Sequence, residues 1–181
     1  SDPQASMVIS SPQEDLTPVI YDDFLVTSER EDLPEEAAGE LVYCGSLIQA
    51  PERNWDDIKG ADLKGKVLLV EINEPGNRPG GIFDGEDMTY YGRWTYKYEE
   101  AARQGAAGIF IVHETGPAAY PWAVVENGWT GPRFNLASED NGMSKCAIEG
   151  WWQLDTAREL FENAGLSYDE LKAAAAKRGF K

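Results

Sequence analysis

The chain has 181 residues, a length at which a single domain buries a full hydrophobic core. Acidic residues outnumber basic ones by 32 to 16, and the formal charge of -16 argues against a nucleic-acid binder, which needs Lys and Arg to neutralise phosphates. The same charge disfavours an anionic membrane surface. No apolar run approaches the roughly 20 residues of a membrane span, so we expect neither nucleic-acid binding nor membrane insertion.

The acidic residues are concentrated in the amino-terminal part of the chain. Residues 1–40 contain 11 acidic side chains and a single basic one, Arg30. Residues 1–18 are rich in Ser, Gln and Pro, a composition typical of a flexible tail or linker. We interpret the acid excess as a solvated surface and residues 1–18 as such a tail.

Two continuous apolar runs, 67–70 and 109–112, predict strands that are covered on both faces. Between them, residues 91–104 have helical spacing and are followed by Gly105. The residues predicted on the buried face of this helix are Trp94, Tyr98, Ala101 and Ala102. Because strand, helix and strand follow in that order, we expect a parallel, right-handed βαβ unit.

Further elements flank this unit and make the predicted fold class mixed α/β. Strands are predicted over 41–48 and within 146–154. Two helices close the chain, one beginning near Thr156 and the next at Ser167, because each of these residues has Glu three positions later, as in a capping box. We expect the first helix to end at Gly165 and the second at Gly179.

Residues suited to catalysis or metal binding are few. His113 is the single histidine and follows an apolar strand, so we interpret it as structural, with an enzyme built on it as one alternative. Cys44 and Cys146 lack a metal-ligand spacing, and two buried thiols are favoured over one disulfide. The loop 73–87 lacks a nucleotide-binding motif and is expected to be a flexible surface loop. Calcium binding by its acidic residues 84–87 is left as an alternative.

Aromatic side chains are the unusual feature of the composition, with six Trp, eight Tyr and six Phe. Many of them cluster beside predicted loops, including a loop or short helix over 120–129. Tyr and Trp provide large contact areas at low entropic cost, so we predict a recognition surface there, with core packing as the alternative. The candidate substrate- or partner-binding residues are Tyr90, Tyr91, Trp94, Tyr120, Trp122 and Trp129.

Two stretches of the βαβ unit resemble the protease-associated (PA) domain. They are residues 60–70, which contain the turn Asp-Leu-Lys-Gly-Lys-Val, and the helix-to-strand step 104–112. Residues 55–57, 88–97 and 119–122 are more narrowly similar to the PA insert of bacterial zinc aminopeptidases in metallopeptidase family 28. Together these stretches are a specific indication of the PA family, whereas each stretch alone is a weak indication.

The resemblance covers roughly residues 24–181 and implies the PA architecture, a swivelling β/β/α arrangement with a small open barrel or two sheets and flanking helices. It implies a PA core over 19–154 and a helical extension over 155–181 that leads toward an absent catalytic domain. The di-zinc site of the family needs more histidines than His113. We therefore expect no catalytic residue, metal ligand or cofactor in this chain, and zinc only in that catalytic domain.

The function implied by the resemblance is that of a non-catalytic module for substrate recognition, for covering an active site or for protein interaction. Its expected partners are its own peptidase catalytic domain and a peptide substrate, and its expected location is exported: periplasmic, cell-surface or secreted. An alternative from another class is a free-standing carbohydrate-binding module that uses exposed aromatic rings.

Overall fold

The computed structural model describes residues 5–32, 35–76, 81–129, 131 and 134–180. The expected mixed α/β class is confirmed. A five-stranded mixed sheet and a separate two-stranded sheet are accompanied by five helices within these ranges, and the described strands form no closed barrel. The fold is therefore two sheets with flanking helices.

The main sheet places four parallel strands side by side. Its strands are β1 (Phe24–Thr27), β2 (Leu41–Tyr43), β5 (Val67–Glu71), β6 (Gly108–His113) and β7 (Ile148–Gln153), whereas β3 (Gln49–Ala50) and β4 (Trp55–Asp56) form the small antiparallel pair. The order is β1-β7-β6-β5-β2, and only β1 runs antiparallel to its neighbour. The carboxyl ends of β2, β5, β6 and β7 consequently meet at one edge, which we call the carboxyl edge.

The helices lie between and after these strands. They are α1 (Trp94–Arg103), α2 (Thr115–Ala118), α3 (Trp122–Trp129), α4 (Leu154–Asn163) and α5 (Tyr168–Ala175), with short 3-10 turns at Pro51–Arg53 and Tyr90–Gly92. The predicted β5–α1–β6 unit is confirmed, since Val67 lies opposite Gly108 in a parallel register. Gly105 ends α1 with a φ of 71°, a conformation that glycine adopts without steric cost.

Alternating side chains along the central strands separate two core clusters. The first core cluster contains Leu68, Val70, Ile109, Ile111 and Trp151 from the sheet, with Tyr98 and Ala101 of α1 and Val125 of α3. The second core cluster contains Leu69, Phe110, Val112 and Trp152, with Ala157, Leu160 and Phe161 of α4 and Tyr168 of α5. Helices thus cover both faces of the sheet, as the continuous apolar runs required.

Several predicted boundaries are wrong for identifiable reasons. The strand expected over 41–48 ends at Tyr43, because Gly45 and Leu47 adopt φ values of 54° and 52° and turn the chain. Helix α4 begins at Leu154 rather than near Thr156, whose hydroxyl lies 3.4 Å from the Asp23 carbonyl instead of capping the helix. Ser167 does cap α5 by accepting a hydrogen bond from the Glu170 amide, but α5 ends at Ala175, before Gly179.

Described residues near both ends of the chain contact the body of the fold. Met7, Ile9 and Leu16 pack against the second core cluster, and Ile9 and Leu16 exchange two backbone hydrogen bonds of 2.9 Å. This part of the predicted tail therefore has apolar anchors that the sequence analysis did not anticipate. Helices α4 and α5 likewise contribute to the second core cluster.

We predict that Ala101→Asp destabilises the protein strongly. Ala101 is fully buried between α1 and the sheet, so the variant places an unpaired carboxylate in the first core cluster at a cost of about 3 kcal/mol or more. The free energy of unfolding measured in urea checks this. Ala173→Asp, at an exposed position of α5, is the matched control and should lose about 1 kcal/mol or less. A loss below 0.5 kcal/mol at Ala101, on the order of a neutral surface substitution, would place α1 in solvent.

Candidate functional site

A cavity of about 480 Å³ opens at the carboxyl edge of the main sheet. Its walls are Ser46 after β2, residues 71–76 at and beyond the end of β5, Gly116 and Pro117 of α2, and Lys172 with two alanines at the end of α5. This volume lies within the range of small-molecule sites, and loops at the carboxyl ends of parallel strands are the usual position for them. The cavity is our candidate functional site.

Glu71, the last residue of β5, is the central group of the cavity wall. Only 6% of it is exposed, and its two carboxylate oxygens accept hydrogen bonds of 2.8 Å from the hydroxyls of Tyr43 and Tyr168. Lys172 lies 3.9 Å from Glu71 and forms an ion pair with Glu114. Burial raises the pKa of Glu71, while Lys172 and the two hydroxyls oppose that shift. Burial and the charge of Glu71 also raise the pKa values of both phenols.

The segment after β5 is fixed by Asn73 and Glu74. Asn73 has a φ of 70°, its side chain donates to the Pro117 carbonyl at 2.9 Å, and its side-chain oxygen accepts from the Glu74 amide at 2.8 Å. Glu74 accepts hydrogen bonds from the backbone amide and the hydroxyl of Thr89. A side chain at Gly92 would approach Asn73 Oδ1 to 3.0 Å, so this contact favours glycine.

These bonds correct part of the prediction of a flexible surface loop over 73–87. Asn73, Glu74 and Pro75 are buried in the cavity wall, and Phe83 packs against Trp55 in a third core cluster. The buried polar groups find partners within the fold, so the chain is held there. Residues 77–80 of the predicted loop lie outside the described residues.

Lys97 of α1 supports the opposite wall from inside the protein. It is fully buried, and its ammonium nitrogen donates a hydrogen bond of 2.5 Å to the Ser46 carbonyl. Burial lowers the pKa of Lys97 to about 7, against the charges of Asp57, Glu74 and Glu71. Ser46 is 7% exposed, and within the described part of the chain its hydroxyl makes no hydrogen bond.

The six aromatic residues predicted for recognition fall into two groups. Tyr90 and Tyr91 both contact Tyr96, with ring centroids 6.0 and 5.0 Å apart. Tyr90 is 55% exposed, whereas Tyr91 is half-buried against Phe83 and donates to Glu52. These two tyrosines precede α1 and are joined to the cavity through Thr89.

The other four predicted residues lie around the carboxyl end of β6, which is His113, and beside Trp151 of β7. Trp94 contacts Trp129, and Tyr120 and Trp122 contact His113, with centroids between 5.6 and 5.9 Å apart. All four are half-buried, and Trp151 connects the two pairs through Trp129 and His113. Among the described rings, no contact joins this group to Tyr90 and Tyr91, so the structure does not assemble all six into one surface.

His113 is packed rather than poised for catalysis. It is 4% exposed, its Nε2 lies 3.0 Å from the Tyr120 carbonyl, and burial lowers its pKa. Cys44 and Cys146 are buried and unpaired, and burial raises the pKa of each thiol to about 12, far from a reactive thiolate. The His113 ring and both thiols therefore lie in the packed interior, and the thiols stay protonated near neutral pH.

The acidic residues 84–87 are the calcium site that the sequence left open. Asp84 forms an ion pair of 2.9 Å with Arg53. Among the described residues, no group of three or more His, Cys, Asp or Glu side chains is arranged to hold a metal ion.

The chain was compared with known proteins. No family model matches it, and no curated protein matches it. In the described ranges, no helix combines the length and the apolar character needed to cross a membrane. The structure itself defines a mixed α/β domain with a cavity of about 480 Å³ at the carboxyl edge.

Sequence reasoning missed Glu71, Glu74 and Ser46, which line the cavity, and Lys97 and Tyr168, which donate hydrogen bonds to its wall. The sequence did indicate Glu71 and Glu74, since Glu71 follows directly on the apolar run 67–70 and Glu74 comes three residues later, beyond a strand end that was predictable. For Lys97 the sequence indicated a position in solvent, because a lysine beside the buried face of a predicted helix is ordinarily exposed.

We predict that Lys97 makes stability rise with pH above 7. The unfolded lysine keeps its ordinary pKa of 10.5, while the folded one has about 7, so the unfolded state binds more protons between these values. Stability should therefore rise by up to about 1.4 kcal/mol per pH unit. Lys97→Met should lack this rise in urea unfolding at pH 7, 8 and 9. Lys64→Met, at an exposed lysine, is the control, and parallel curves for Lys97→Met and the natural chain would contradict the prediction.

Proposed function

We propose that this chain is a non-catalytic PA-type recognition domain of an exported zinc aminopeptidase of metallopeptidase family 28. It binds peptide, and hydrolysis belongs to a separate catalytic domain that holds the zinc. The observation that carries the proposal is the packing of the two resembling stretches against each other. The Gly65 amide donates to the Gly105 carbonyl at 2.9 Å, and the Ala107 amide donates to the Lys66 carbonyl at 2.8 Å.

These hydrogen bonds explain what the resembling residues do. They join the starts of β5 and β6 and the end of α1, at the edge of the sheet opposite the cavity. The resemblance therefore concerns the frame of the domain, and the loops at the carboxyl edge are left for recognition. A frame at one edge and a binding cavity at the other supports a recognition module.

Exposed apolar residues further support a domain that works against a partner. Phe134 and Leu136, in the connection between α3 and β7, are 95% and 98% exposed. Large apolar side chains grouped on a surface mark interaction sites, because burial against another molecule removes them from water. The remainder of a peptidase would provide such a surface.

The tryptophan positions disfavour the alternative of a carbohydrate-binding module. Three of the six tryptophans are buried and three are half-buried, and none is exposed. Stacking on a sugar ring needs an open aromatic face, which in the described chain is found at Tyr90 and Phe134. Peptide recognition is therefore the better-supported function.

Titration of the ¹⁵N-labelled chain with short peptides and, separately, with oligosaccharides tests the proposal. We expect peptides to shift backbone amides around the cavity and around Tyr90, oligosaccharides to shift none, and the peptides to remain intact. Tyr90→Ala should weaken peptide binding, while Val8→Ala, at another exposed apolar residue, should not. Peptide hydrolysis with stoichiometric zinc, abolished by a chelator, would overturn the non-catalytic role, and shifts caused by sugars alone would favour the carbohydrate-binding module.

A further inference from the structure

The charge balance of the cavity wall is negative. Glu71 and Glu74 both line the cavity, and each is only 6% exposed. Lys172 is the one cation among the described lining residues, and its ammonium group is already neutralised by Glu114. A ligand that enters the cavity therefore meets two carboxylates and one compensated cation among the described lining residues. The ammonium group of Lys97 lies behind the wall, on the Ser46 carbonyl. The excess of carboxylates at the surface of the cavity favours a positively charged group.

Ser46 provides a hydrogen-bonding group on the cavity wall. It is more than nine-tenths buried and lines the cavity, but its hydroxyl makes no hydrogen bond with any described residue. Its carbonyl is occupied by Lys97, which fixes the residue in place. The Ser46 hydroxyl is not fully enclosed, so water or a ligand in the cavity can bond to it. Ser46 Oγ is thus available as a hydrogen-bond acceptor on the cavity wall.

The rest of the wall, as far as the structure describes it, is uncharged and largely apolar. Ile72, Pro75 and two alanines of the α5 end line the cavity beside the polar groups. Such a wall suits an aliphatic chain, while the hydroxyl and the carboxylates suit three N–H donors at its end. A primary ammonium group on a short aliphatic chain combines both properties.

We propose that the cavity binds a primary ammonium group, with Ser46 Oγ accepting one N–H bond and Glu71 and Glu74 supplying the counter-charge. A peptide N-terminus and a lysine side chain both carry this group. The inference rests on the proposed function only in taking a peptide as its source. The carboxylates accept further bonds because each oxygen has two lone pairs, and Tyr43, Tyr168 and Thr89 do not occupy all of them.

Four probes test the ligand chemistry by ¹⁵N-amide titration of the full chain. A trialanine peptide with a free N-terminus and N-acetyl-lysine amide carry the ammonium group, and N-acetyl-trialanine and N-acetyl-norleucine amide are their neutral counterparts. We expect at least one ammonium probe to shift the amides of residues 72–76 and to bind at least tenfold more tightly than its neutral counterpart. The tighter of the two ammonium probes identifies the source.

Matched variants locate the binding to the cavity. Ser46→Ala removes a hydroxyl that makes no internal bond, so it should keep its unfolding midpoint and weaken the ammonium probe by about three- to tenfold. Glu74→Gln should weaken it by at least tenfold, and Glu162→Gln, at an exposed carboxylate of α4, should leave it unchanged. Full affinity in a folded Ser46→Ala variant would overturn the assigned role of Ser46.

Failure of this inference is separable from failure of the proposed function. Equal binding of the acetylated and free peptides would overturn the ammonium site and leave peptide recognition standing. Absence of any shift at residues 72–76 would also overturn it, while peptide shifts around Tyr90 would still support recognition. Peptide hydrolysis would overturn the non-catalytic role whichever probe binds.

Discussion

The buried carboxylate of Glu71 is the constraint on which the arrangement of the carboxyl edge depends. Removing an ionised carboxylate from water costs several kcal/mol, so donors from other elements have to reach it. Tyr43 at the end of β2 and Tyr168 at the start of α5 supply two hydrogen bonds, and Lys172 supplies a charge one helical turn later. Because these partners come from two other elements, β2 and α5, the positions of both relative to β5 are coupled, and the cavity between β5 and α5 has a defined wall.

The sheet beneath this edge depends on a close approach at Gly150. A side chain there would come within 2.3 Å of the Leu25 carbonyl oxygen and 2.6 Å of the Phe110 ring. Glycine thus lets β7 accept both β1 as an antiparallel neighbour and the Phe110 ring of β6. This packing allows the second core cluster to extend from the sheet to α4 and α5, and so places Tyr168 within reach of Glu71.

The sequence predicts the β5–α1–β6 unit because its information is local: two apolar runs, one helical face and a glycine at the helix end. It does not predict Tyr168 beside Glu71, or Asp23 beside Thr156, because these pairs are far apart in the chain and no periodicity encodes them. The Asp23 carbonyl engages the Thr156 hydroxyl, and the capping box fails for that reason. The cavity was unpredictable in the same way, since its wall combines residues from four separated segments.

Lys97 connects the frame of the domain to the candidate site. It belongs to α1, whose position is set by Tyr98 and Ala101 packing on the sheet, and its ammonium nitrogen reaches the carbonyl of Ser46 in the cavity wall. A shift of α1 would therefore move that carbonyl or leave a buried amine without its acceptor, which is costly in the interior. The shape of the cavity is consequently a property of the whole core. The edge that carries the resembling motifs and the edge that carries the candidate site are joined by one buried side chain.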